Sequence, residues 1–291
     1  MRTIFLTALL FITILFIASR LPAQIVHASG PRPSFEVATI KPASPDETQS
    51  GMGFSDGGRG FHTSNATVRD LIQEAWNVKS TDQIEEAPGW ASGQKFDIEA
   101  RMSDAQATSL ASLPFGERVR QVRLMLQMLL ENRCELKVHS STRKSTFFTL
   151  LPAKGGPKLK PTQMIPADPA TKTPAHPAVG PKVQSKGSGR VEATGASMPM
   201  LTEFISRQPE LGFSGGFTLG ELIVDKTGLF GAYDWILAWQ PESDSNPDTT
   251  GNLNGPSFFT ALREQLGLEL KKTKGQVEVL VIDHVTPPSA D

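Results

Sequence analysis

The chain has 291 residues, with 29 Lys+Arg against 30 Asp+Glu, one Cys, 25 Gly and 22 Pro. That length holds one large domain or two small ones, and the balanced charge lacks the basic excess of a nucleic-acid binder. A single cysteine excludes an intramolecular disulfide framework and a multi-cysteine zinc or iron–sulfur site, while 38% hydrophobic and 20% charged residues describe a folding chain rather than a polyelectrolyte.

After Met1-Arg2-Thr3 runs an apolar stretch, Ile4 to Ala18, interrupted only by Thr7 and Thr13 and followed by Arg20, Leu21-Pro22-Ala23 and Val26-His27-Ala28. A basic start, a short apolar core and small residues ahead of a cut describe a secretory signal peptide over residues 1–28, cleaved after Ala23 or Ala28. Fifteen helical residues rise about 22 Å, short of the ~30 Å hydrocarbon core, so no stable membrane span is expected after cleavage. No Cys follows the apolar core, which excludes a lipoprotein anchor. Removing residues 1–28 takes away Arg2 and Arg20 and no acid, leaving 27 basic residues against 30 acidic ones. A periplasmic or extracellular protein works without cytosolic ATP or NAD(P)H, so no cofactor is expected.

Two halves resemble each other across a Pro-rich stretch. In the first, residues 32–160, Gly60-Phe61-His62-Thr63-Ser64-Asn65-Ala66-Thr67-Val68 reads as a strand running into a helix start, with Val68, Leu71, Ile72, Ala75 and Trp76 at helical spacing. Phe96-Asp97-Ile98-Glu99-Ala100 follows as a strand. A helix ending near Cys134 comes next, then a hairpin of Leu136/Val138, a polar turn and Phe147–Leu150. Residues 161–189, with prolines at 161, 166, 169, 174, 177 and 181, read as a linker, and Gln240–Gly255 reads likewise.

The second half, residues 190–291, repeats the first. Arg190–Met198 lies over Gly60–Val68; Met198, Leu201, Phe204 and Ile205 repeat the helix; Tyr233-Asp234-Trp235 repeats the aromatic–Asp strand opening. Leu262–Leu270 lies over Leu130–Val138 and Val279–Ile282 over Phe147–Leu150. The expected fold is therefore α+β, two pseudo-repeated halves of roughly strand–helix–strand–helix–β-hairpin after the signal peptide. Cys134 lies over Leu266, which reads as a buried free thiol rather than a nucleophile.

No motif completes a catalytic set. Asp225-Lys226-Thr227-Gly228-Leu229 is similar to the phosphorylated-aspartate loop of cation-pumping ATPases, but Leu229 stands where a Thr is required. Lys226-Thr227-Gly228 and Ser141-Thr142-Arg143-Lys144 match two elements of penicillin-recognising enzymes, yet Ser141 falls in the expected polar turn instead of a helix. Gly53–Gly57 and Gly212–Gly216 fit Gly-x-Ser-x-Gly without the strand and helix a nucleophile elbow needs. The five histidines show no metal-ligand spacing, so no metal is expected. Lys154–Lys160 is a basic, glycine-rich turn that reads as a solvated face. The candidate binding residues are Trp90, in a turn after Pro88-Gly89, together with Asp225, Lys226, Thr227, Asp234 and His284.

The chain resembles a family of exported, soil-associated proteins built on a domain of unknown function. The resemblance rests on Phe35–Pro42, Asn65–Ile72, Trp90, Phe96–Ala100, Lys154–Leu159, Val224–Leu229 with Gly231 and Tyr233-Asp234, Phe259–Leu268 and Val277–Pro288. It departs at Arg207–Glu221, where the Gly/Phe-rich stretch is longer than the family's turn. The resemblance implies export, an unassigned biochemical role and, in some relatives, a place beside membrane metallopeptidase-sensor modules. The closing unit, Ala261–Leu268 then Val277–Ile282, is also similar to small periplasmic modules of secretins, which bind partners through sheet edges. The expectation is a non-enzymatic module of the cell envelope that binds a protein or small ligand. Its alternatives are a secreted hydrolase with a site around Asp225 and Lys226, assembled with Asp234 and His284, and a sensor domain of a peptidase-linked signalling system.

Overall fold

A computed structural model of the chain describes residues 25–28, 30, 32–46, 48–55, 59–113, 115–165, 176–177, 180–212, 219–241 and 255–289. The apolar core of the expected signal peptide lies outside these residues, as do 166–175 and 178–179 of the Pro-rich stretch and 242–254 of the second polar stretch. The described residues form an α+β fold with three four-stranded sheets.

The first sheet holds β1 (Val37–Pro42), β2 (Gly51–Ser55), β3 (Gly60–Thr67) and β5 (Lys95–Arg101), all antiparallel in the order β1-β5-β3-β2. α1 (Val68–Ala75) starts where the Thr67 hydroxyl accepts from the Asp70 amide while the Asp70 carboxylate accepts from Thr67 N–H. This reciprocal cap satisfies two donors that a helix start leaves open. Val68, Leu71, Ile72 and Ala75 share one face and are buried with Met125, Leu126 and Leu130 of α4 (Phe115–Cys134) in the first core.

The second sheet runs β10 (Lys182–Ser185), β11 (Arg190–Ser197), β13 (Ala232–Ala238), β7 (Lys160–Pro161), again antiparallel. Both of its edge strands lie in or at the border of the stretch whose composition reads as linker. Within that stretch β8 (Met164–Ile165) and β9 (His176–Pro177) also pair. α5 (Met198–Ser206) and α6 (Phe258–Ala261), the latter continued by a π turn over Leu262–Leu266, supply Leu201, Ile205, Phe258 and Leu262 to the second core.

The expected hairpins are not hairpins. Lys137–Pro152 is one continuous strand, β6, and Leu268–His284 is another, β14; they pair with each other along their length. The polar centre of β6, Ser140–Thr146, contains no Gly, Pro or Asn to reverse the chain, so Ser141 lies in a strand. It is polar because the middle of the ribbon is largely solvent-facing, whereas the ends are buried. Leu136, Leu280 and Ile282 enter the first core, and Leu150 and Leu268 the second. A third cluster of Phe147, Leu222, Val224, Val277 and Val279 lies on the ribbon's other face.

This sheet joins the halves. β4 (Ile84–Glu85) pairs in parallel with β14, and β12 (Ile223–Asp225) in parallel with β6, giving the order β12-β6-β14-β4. Each half thus lends a short strand to the long strand of the other. Cys134, fully buried at the end of α4, has its thiol pushed up to about 12 by burial, so it stays protonated.

Residues 25–28 are built into the first half. Ile25 is 4% exposed in the first core, and its amide donates to Glu278 Oε2 at 3.1 Å. Val26 N–H donates to Trp76 O, the Gln127 amide donates to Val26 O, and His27 lies 2.6 Å from Glu278 Oε1. Burying an isoleucine contributes about 2 kcal/mol. A chain starting at Ser29 should therefore melt about 4–8 °C below one starting at Gln24, by circular dichroism; equal melting temperatures would show that this segment holds nothing.

Candidate binding cleft

α1 and α5 each turn a second, polar face away from the core. On α1 it continues past the helix end as Asp70, Gln73, Glu74 and Asn77; on α5 it is Pro199, Thr202, Glu203 and Ser206. Both sets follow the i, i+3, i+4, i+7 spacing of one helical stripe. Together the stripes wall a cleft of about 990 Å³ whose floor includes Phe147 of β6 and Thr273 and Gly275 of β14, with Ile223–Lys226 along one side. Gly275 makes the floor flat: a Cβ there would meet the Phe147 ring at 3.2–3.3 Å. At the 132-residue offset that lays Phe147 over Val279, the position matching Gly275 is Arg143, whose guanidinium reaches Glu85 at 3.1 Å.

The inner end is shaped by the exit from α1. Val78 N–H donates to Gln73 O and Asn77 N–H to Glu74 O, with Asn77 at φ 55°, the left-handed conformation that ends a helix in a Schellman turn. The turn sends Lys79 back along the cleft. Gln83, 1% exposed, fixes it there: its side-chain oxygen accepts from the Lys79 and Ser80 amides, and its nitrogen donates to Glu278 O on β14.

Charge is paired along the walls. Arg123 of α4 lies 2.9 Å from Glu74, and Arg207 lies 3.1 Å from Glu203. Lys79 donates to Asn77 Oδ1 at 2.7 Å. Its ammonium is held below the usual lysine value, chiefly by desolvation and then by Arg123, with Arg207 adding to this and Glu74 and Glu203 opposing it. Lys79 keeps an exposed surface, so solvent screens much of that effect.

Gln73 stands on the α1 wall. It is 5% exposed, lines the cleft, and has no side-chain hydrogen bond among the described residues. Its carboxamide, two donors and an acceptor, is not among the side-chain polar atoms shut off from solvent without a partner, so it opens onto the cleft.

Of the six residues singled out in the sequence, the structure brings Asp225 and Lys226 to the cleft, with Thr227 adjoining. Asp225 Oδ1 accepts from Thr227 N–H and Oγ1, a local turn that takes up that oxygen. The other three lie elsewhere. Trp90 opens the four-residue α2 (Trp90–Gly93), half-buried against the first core instead of standing free in a turn. His284 ends β14, 3.6 Å from Glu135.

Asp234 has a framework role. β11 carries a bulge between Ala193 and Ala196, with Gly195 at φ 62°, and Asp234 Oδ1 accepts from Gly195 N–H at 2.8 Å and from Thr162 Oγ1 at 2.6 Å. Asp97 does the same in the first sheet, accepting from Asn65 N–H at 2.8 Å beside the bulge of β3. Both are the Asp of the aromatic–Asp strand opening.

Gln73, Glu74, Lys79, Arg123, Glu203 and Arg207 carry no motif; their only signal in the sequence is a polar stripe beside an apolar one. Among the described residues no group of three or more His, Cys, Asp or Glu could hold a metal, and no helix is long and apolar enough to cross a membrane.

The family described as a protein of unknown function, DUF3738, matches residues 69–285, well over half the chain. The chain belongs to this family. The DUF3738 match runs from the first turn of α1 to just past β14, so it takes in both helical walls and the floor of the cleft. No curated protein and no solved structure matches the chain.

Asp234→Ala leaves Gly195 N–H and Thr162 without their acceptor, a loss of about 1–3 kcal/mol. The expected outcome is a melting temperature lower by about 2–12 °C, while Asp225→Ala, which opens only an edge turn, changes it less. The reverse order in thermal denaturation would refute the framework role.

Proposed function

We infer that the protein is an exported, non-enzymatic module of the cell envelope that binds a ligand or partner segment in the cleft between α1 and α5. The observation carrying this reading is Gln73. Its carboxamide makes no side-chain hydrogen bond among the described residues and opens onto the cleft, where two donors and an acceptor can meet whatever enters. A volume of about 990 Å³ lies within the few hundred to about 1,000 Å³ typical of small-ligand sites. Asp225 and Lys226 serve in this reading as rim groups. Export rests on the N-terminal apolar segment and its small-residue cleavage points.

Thr202 lies on the cleft wall, partly solvent-exposed, so Thr202→Trp fills the cleft without disturbing either core. In a thermal-shift screen of small ligands and envelope-derived peptides, at least one compound should raise the melting temperature of the wild type. The same compound should leave Thr202→Trp unshifted, and the variant alone should melt with the wild type. Equal shifts in both proteins, or no shift with any compound, would contradict the reading.

A further inference from the structure

Resting on the export half of that reading, we propose that the leader is cut between Ala23 and Gln24, and that the start of the mature chain is a working part of the fold, seated between α1, α4 and β14. Ala23 and Ala28 each put a small residue ahead of a cut, and the sequence does not choose between them. What separates the two cuts is the segment Gln24–Ala28, and residues 25–27 of it are gripped by the body of the protein.

The grip converges from three elements. At the C-terminal end of α1, the Trp76 carbonyl accepts from Val26 N–H at 2.9 Å. On α4 the Gln127 side chain, 2% exposed, donates through Nε2 to Val26 O and to Ala75 O, both at 2.9 Å. On β14 the Glu278 carboxylate accepts from Ile25 N–H through Oε2 and meets His27 Nε2 through Oε1. The Ile25 side chain completes the seat by entering the first core.

A cut after Ala28 discards these partners and leaves the seat empty. Gln127 loses one of its two acceptors at a nearly closed position, Trp76 O loses its donor, and the Glu278 carboxylate loses both Ile25 N–H and His27. Groups stripped of a partner away from water are costly. A cut after Ala23 keeps every one of these contacts. It also frees the fold: Ala18, which ends the apolar run, stands seven positions from Ile25, at most about 25 Å of extended chain. Until the cut, a seated Ile25 holds the first half beside any membrane that holds the run. Hydrolysis of the Ala23–Gln24 peptide bond by an envelope signal peptidase consumes one water, leaves a carboxylate on Ala23 and an amine on Gln24, and releases the protein with its seat filled.

The test is the N-terminal sequence of the protein recovered from the periplasm of a Gram-negative host that expresses the full chain. It should read Gln24-Ile25-Val26-His27-Ala28. Ala23→Phe should lower the yield of protein beginning at Gln24 at least tenfold. Ala28→Phe, at an exposed residue, should leave both the cut and the yield unchanged. A mature chain that begins at Ser29, or at any residue other than Gln24, overturns the proposed site and leaves export standing. Processing that survives Ala23→Phe and fails in Ala28→Phe overturns it equally. Uncut chain confined to the cytoplasm overturns export itself, while the thermal-shift screen decides separately whether the cleft binds.

Discussion

The antiparallel ladder running from Leu268↔Pro152 to Ile282↔Val138 joins two strands from opposite halves of the chain. Its ends carry the apolar residues of two different cores, and its middle is polar. The arrangement is self-consistent because a strand's side chains alternate between faces while the sheet twists along its length. One ribbon can therefore floor the first core at one end and the second at the other. The short strands β4 and β12 extend the same sheet, each crossing to the long strand of the other half. At the 132-residue offset Leu280, the partner of Ile84, corresponds to Phe148, the partner of Ile223, and the pair Lys144↔Gln276 maps onto itself.

The cleft is a consequence of that ladder. The helices that follow β3 and β11 each bury one stripe in their own core and leave another facing outward. Because the ribbon brings the halves together, the outward stripes meet across its centre. Two bulged strands, each held by one Asp, precede the helices: Asp97 grips Asn65 and Asp234 grips Gly195, both in the left-handed region. The halves differ where it matters for access. Gly275 leaves the floor open beside Phe147, whereas the matching Arg143 puts a long side chain on the ribbon.

Local elements were legible because their causes are local. Thr67 and Asp70 announce a capped helix, Leu71, Ile72 and Ala75 its buried stripe, and Phe96-Asp97 and Tyr233-Asp234 mark corresponding strands. The ladder was not legible. A strand with apolar ends and a polar centre looks in sequence like two short strands with a turn between them, and only long-range pairing distinguishes the two. Nor could composition show that Pro-rich flanks would supply sheet edges at β7 and β10, a location that tolerates proline. The site followed the same rule. Asp225 and Lys226 stand in a motif and do reach the cleft, whereas Gln73 is an ordinary helix residue until the fold sets it on the cleft wall.

The central claim is that the shared ribbon makes the two halves one cooperative unit. The tryptophans divide evenly: Trp76 and Trp90 belong with the first core, Trp235 and Trp239 with the second. The decisive measurement is guanidinium unfolding of two double variants, Trp76→Phe/Trp90→Phe and Trp235→Phe/Trp239→Phe, each followed by fluorescence and by far-ultraviolet circular dichroism. The account predicts that the two signals superimpose in each variant, because neither half can open without breaking the ladder. Fluorescence transitions that separate from the circular-dichroism curve, early in one variant and late in the other, would contradict it.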